Sequence, residues 1–86
     1  NQGIDKSKVV AAGKEVDRLQ SFGEVERITS RVLLLAGAKD AGGVASAQRL
    51  HDRIDGSVLQ VIDGAGHLVN KDAPAAFNQA VADFLG

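Results

Sequence analysis

The apolar positions along the chain fall into alternating helical and strand-like stretches. From Asp5 to about Phe22, Val9, Ala12, Val16 and Leu19 recur at three- and four-residue steps, which predicts an amphipathic helix capped by Asp5 or Ser7, with Gly23 just past its end. Residues 23–30 read as a connector holding Val25 and Ile28. Arg31-Val-Leu-Leu-Leu-Ala36 is a short, continuous apolar run, the mark of a strand buried on both faces as in a parallel sheet. A Gly-rich loop over 37–43 follows, then helical spacing at Val44, Ala47, Leu50 and Ile54, and a turn at Asp55-Gly56. Ser57–Ile62 reads as a second strand and 63–72 as a loop. The last helix places Ala73, Ala76, Phe77, Ala80, Val81, Phe84 and Leu85 on one face, with Asp72 at its start and Pro74 in its first turn.

The order helix, strand, helix, strand, helix predicts an α/β class with two parallel strands joined by a right-handed crossover. Two parallel strands do not make a stable sheet, so at least one edge is expected to pair with strands from the same parent or from a partner chain. Thirteen of the 38 hydrophobic residues are alanine, which leaves a thin core for an 86-residue domain. The chain lacks Met and begins at Asn1, which reads as an internal or processed piece of a longer protein.

Charge and cysteine content narrow the function classes. Ten basic and eleven acidic residues give a net charge of −1, and no Lys/Arg cluster makes a case for nucleic acid. Cysteine is absent, which excludes disulfides and Cys-ligated metal. No apolar run approaches a membrane span and no signal peptide is visible, so the expectation is a cytoplasmic protein without a membrane partner.

In open parallel sheets, ligands bind beyond the carboxyl ends of the strands. The two loops that leave those ends present Asp40 and His67. Each alone reads as a helix cap or an exposed loop residue. Together, on adjacent parallel strands about 4.8 Å apart, they can meet, and an Asp that accepts from one imidazole nitrogen leaves the other as a base. Other motifs fall away. Gly37-x-x-x-x-Gly42-Gly43 lacks the Lys and Ser/Thr of a phosphate loop. Gly64-Ala-Gly66 has Val69 where a dinucleotide fingerprint needs its third glycine. His51 and His67 lie sixteen apart, without metal-ligand spacing, and His51 reads as a surface or boundary residue. Neither a cofactor nor a metal is implied.

The stretch from about Ile28 to Leu85 resembles the C-terminal end of the α/β-hydrolase superfamily. That pattern is an apolar strand ending in Gly-x-x-Asp, a helix, a second strand and Gly-x-Gly-His, then a Pro-containing helix ending in Phe-Leu. Here it reads Val32–Gly37-Ala-Lys-Asp40, Val58–Gly64-Ala-Gly66-His67, and Pro74 to Phe84-Leu85. His67-Leu-Val-Asn70 with Pro74 and Phe77 is similar to 3-oxoadipate enol-lactonases and related esterases. The resemblance implies one α/β-hydrolase domain of which 1–86 is a C-terminal fragment, with 1–27 a helix and connector and 28–86 the acid- and His-bearing segment. It implies Asp40 as triad acid, His67 as general base, and a small-molecule ester or lactone as substrate. Arg31 and Ala41-Gly42-Gly43 stand where the family usually carries proline. The Gly-x-Ser-x-Gly elbow is absent, since none of Ser7, Ser21, Ser30, Ser46 or Ser57 has that setting. The nucleophile is therefore expected from the N-terminal part of the fold. Its identity would separate esterases from dehalogenases, epoxide hydrolases, haloperoxidases and C–C hydrolases, and a non-catalytic binding segment is the alternative class.

Overall fold

The computed structural model describes residues 8–21, 23 and 30–86. The elements are β1 (Lys8–Ala12), α1 (Lys14–Gln20), β2 (Arg31–Gly37), α2 (Ala41–Arg53), β3 (Val58–Ile62), α3 (Val69–Asp72) and α4 (Pro74–Leu85). The three strands form a parallel sheet in the order β1-β2-β3, with Ala11 opposite Leu34 and Leu34 opposite Leu59. The α/β class and the parallel pairing of β2 with β3 are as the sequence predicts.

The predicted helix over Asp5–Phe22 is corrected. Of its described residues, Lys8–Ala12 form a strand, β1, and Lys14–Gln20 a helix, so the described part of the sheet has three strands rather than two. The β-branched pair Val9-Val10 favours a strand, and Gly13 ends it with φ 57 and ψ −115, a conformation reserved for glycine. The expected cap at Asp5 or Ser7, Phe22, and the connector residues Val25 and Ile28 lie outside the described residues. Two smaller differences concern loops. Residues 41–43, expected in a Gly-rich loop, are the first turn of α2, because the Asp40 side chain accepts from the Gly43 N–H and caps the helix. Within 63–72, the last four residues wind into α3.

β2 is the axis of the molecule. From Val32 to Gly37 every residue is buried, as its unbroken apolar run requires. Val32, Leu34 and Ala36 pack on one face with Ala11, Val16, Ala47, Leu50 and Ile54, beneath α1 and α2. Leu33 and Leu35 pack on the other with Ile62, Ala65, Val69 and Ala80, beneath α3 and α4. Full burial of each of these leucines stabilises the fold by about 1.5–3 kcal/mol. On α4, Ala80 is buried and Phe77, Val81 and Phe84 are half-buried, while Ala76 and Leu85 face solvent. Among the described residues, no helix is long and apolar enough to cross a membrane.

Candidate active site

The carboxyl ends of β2 and β3 are stitched together beyond their ladder. The N–H of Ala38 donates to the Ile62 carbonyl and that of Lys39 to the Ala65 carbonyl, both at 2.9 Å. Gly37 permits this approach: a Cβ there would run into the Ala65 and Gly66 carbonyl oxygens. Asp40 then sits as the N-cap of α2. Its Oδ1 accepts from the Gly43 N–H at 3.1 Å, which leaves Oδ2 for a second donor.

That donor is His67. Its Nδ1 lies 2.9 Å from Asp40 Oδ2. The structure thus brings the two residues singled out in the sequence together over one edge of the sheet, although 27 positions separate them. The His67 side chain is 44% exposed and that of Asp40 24%, so the imidazole stands at the mouth of the site with its carboxylate beneath it. The hydrogen bond from His67 and that from the Gly43 backbone hold the Asp40 carboxyl below its ordinary range, against a smaller opposing effect of burial. An ionised Asp40 fixes the proton on Nδ1 and leaves Nε2 as the basic nitrogen.

Three residues that sequence reasoning missed shape this site. Asp72, expected to begin the last helix, ends α3 instead, and its carboxylate accepts from the Gly66 N–H at 2.8 Å, anchoring the loop one residue before His67. Gly13 lies against the His67 carbonyl, where a Cβ would stand 2.8 Å from its oxygen. Asp17, on α1, places its carboxylate 3.8 Å from His67 Nε2. The Gly13-Lys14 step after two valines signals a strand end, but no local pattern in the sequence ties α1 to a histidine fifty residues later. A hollow of about 320 Å³ opens beside His67, walled by Ala12, Gly13, Leu68, Val69 and Phe77 with Asn70 among them.

His51 is at the other end of the sheet and takes no part. Its Nδ1 meets the Ser57 hydroxyl at 2.7 Å, and that hydroxyl also lies 3.3 Å from the His51 carbonyl, closing the end of α2 onto the start of β3. Among the described residues, no group of three or more His, Asp or Glu is arranged to hold a metal ion.

A strand–Asp40–helix–strand–His67 order on a parallel sheet is the one that the resemblance to α/β-hydrolases implies. The chain belongs to that superfamily, and within it to the TAP-like protein family, whose model matches residues 6–86. It is 33% identical over 64 residues to a putative 2-succinyl-6-hydroxy-2,4-cyclohexadiene-1-carboxylate synthase of Bacillus subtilis, covering 74% of this chain and 23% of the relative. It is 42% identical over 59 residues to 3-oxoadipate enol-lactonase 2 of Acinetobacter baylyi, covering 67% and 22%. Among solved structures it superposes on MenH from S. aureus with a TM-score of 0.71 at 26% identity, over 72% of this chain and 23% of that one. A CIB-like hydrolase from Thermoplasma acidophilum gives 0.70 at 32% identity, over 81% and 33%. The chain thus spans under a quarter of the length of the curated relatives it matches.

Proposed function

We propose that this chain supplies the acid and the base of a nucleophile–His–acid triad that cleaves an ester or lactone. The observation that carries the reading is the 2.9 Å contact between Asp40 Oδ2 and His67 Nδ1, in loops leaving adjacent parallel strands. A nucleophile borne by the N-terminal part of the fold, in the same parent or another chain, attacks the carbonyl carbon. His67 Nε2 takes its proton, the acyl group passes to the nucleophile, and the alcohol or enol leaves with a proton returned from His67. His67 then draws a proton from water, whose oxygen attacks the acyl-enzyme; the acid is released as the imidazolium returns that proton to the departing nucleophile. Asp40 keeps Nδ1 protonated and balances the imidazolium charge in both halves.

In this reading residues 1–86 are the C-terminal part of one hydrolase domain working in the cytoplasm, and β1 is where the missing sheet attaches. Among the described residues β1 pairs on one side only, with β2. Beside it runs a groove of about 410 Å³ walled by Val9, Val10, Ala11 and Leu19. A half-exposed, valine-bearing edge of this kind takes another strand. The test is turnover of p-nitrophenyl acetate and a panel of lactones by the protein that carries this chain. His67→Ala is expected to lower kcat by at least roughly 10³-fold. Wild-type rates from His67→Ala, with native far-UV circular dichroism, would overturn the assignment.

A further inference from the structure

His67 has carboxylates at both ring nitrogens: Asp40 Oδ2 at 2.9 Å from Nδ1 and Asp17 Oδ2 at 3.8 Å from Nε2. A neutral imidazole cannot serve both. It carries one N–H, which Asp40 claims, and its Nε2 lone pair then faces the negative Asp17. Only the imidazolium donates in both directions. The placement of Asp17 follows from the backbone. Gly13 turns the chain from β1 into α1, its carbonyl accepts from the Asp17 N–H at 3.3 Å, and buried Val16 pins the opposite face of the helix to the core.

We propose that Asp17 is a positioning residue for the base, whose carboxylate forms an ion pair with His67 on its Nε2 side whenever the imidazole is protonated. This rests on the reading of His67 as general base. In the free protein at low pH, Asp17 latches the imidazolium and keeps Nε2 from a nucleophile. Once the imidazole is neutral, the attraction is gone and the lone pair is released to accept the nucleophile's proton. Asp40 faces the other nitrogen, and the remaining charges near the ring do not duplicate Asp17. From α1, Lys14 and Glu15 line the same hollow with opposite signs. From the loop after β2, Lys39 precedes Asp40, and its backbone N–H bonds to the Ala65 carbonyl. On the His67 side, Lys71 is exposed on α3 and the Asp72 carboxylate is engaged by the Gly66 N–H. From α4, the hollow receives the uncharged Phe77.

The test follows the His67 Cε1–H resonance through a pH titration of the protein that carries this chain. A carboxylate beside Nε2 favours the charged ring, so Asp17→Asn is expected to lower the His67 midpoint. The acid limb of kcat/KM should move down by the same amount, Asp17→Glu should restore most of the shift, and the His51 resonance should not move. A His67 midpoint unchanged in Asp17→Asn, or lowered equally in Asp17→Asn and Asp17→Glu, would overturn the proposal. Failure of the base assignment shows differently: His67→Ala would keep its turnover, while the NMR midpoint would still report on Asp17.

Discussion

The molecule holds two histidines at opposite ends of the same sheet, each with its Nδ1 within 2.9 Å of a partner oxygen. At the amino end, His51 and Ser57 are six residues apart, and the serine is 9% exposed. The hydroxyl satisfies the last turn of α2, and the pair acts as a local clasp between a helix and the strand that follows. At the carboxyl end, His67 and Asp40 come from loops on different strands, the partner is an anion, and the second ring nitrogen lies 3.8 Å from the Asp17 carboxylate beside a hollow. A neutral hydroxyl brings an imidazole no charge to answer its own. An ionised carboxylate fixes its tautomer and compensates its positive charge. The difference between the two histidines therefore lies in the partner and in the end of the strand.

The comparison breaks most sharply if the partners are removed in turn. Asp40→Asn is expected to lower ester or lactone turnover by roughly 10⁴-fold, since an amide can stabilise the wrong tautomer and brings no charge. Ser57→Ala should leave turnover within about two-fold of wild type and reduce stability by about 1 kcal/mol, the net worth of one hydrogen bond. Equal kinetic losses in the two variants would erase the distinction. Gly37→Ala tests the stitching: its Cβ meets two carbonyl oxygens of the His67 loop, so the variant should lose about 1–3 kcal/mol of stability in denaturant melts and part of its turnover. An alanine here with wild-type melting would show that the loops can separate freely.

The smallest effect concerns titration. The Asp40 carboxyl is held below its ordinary value of 3.8, chiefly by the His67 hydrogen bond. A depressed folded value means that its contribution to stability is fully present above that ordinary value and disappears as pH falls through the lowered one. Carboxyl-carbon NMR should place the Asp40 midpoint below 3.8, with a rise toward the ordinary value in His67→Ala.

The parts of this design legible in the sequence are those whose signals are local. The run Val32–Ala36 has no polar residue to face water, so its burial on both sides follows directly. The pairing of Asp40 with His67 follows from two loops leaving neighbouring parallel strands. β1 was hidden because Val9, Ala12, Val16 and Leu19 keep helical spacing across Gly13, and only the glycine's positive φ divides the stretch into a strand and a helix. Asp72 looked like a cap because it precedes Pro74, while its true partner, the Gly66 N–H, is created by the fold of the loop itself. Asp17 lies on an exposed helix face, and nothing nearby in the chain announces the imidazole it meets.

The two backbone bonds that carry the β2–β3 ladder past its last residues, from Ala38 and Lys39, have a dynamical consequence. They make the acid and the imidazole the two tips of one pair of tweezers whose arms are fused. Drawing the two loop backbones apart requires unzipping the ladder from its carboxyl end, a local unfolding event rather than a loop fluctuation. In amide exchange, Ala38 and Lys39 should therefore behave like strand residues, slow and coupled to each other, although neither lies in a strand. Loops joined this way keep the backbones of Asp40 and His67 at a fixed spacing while their side chains reorient.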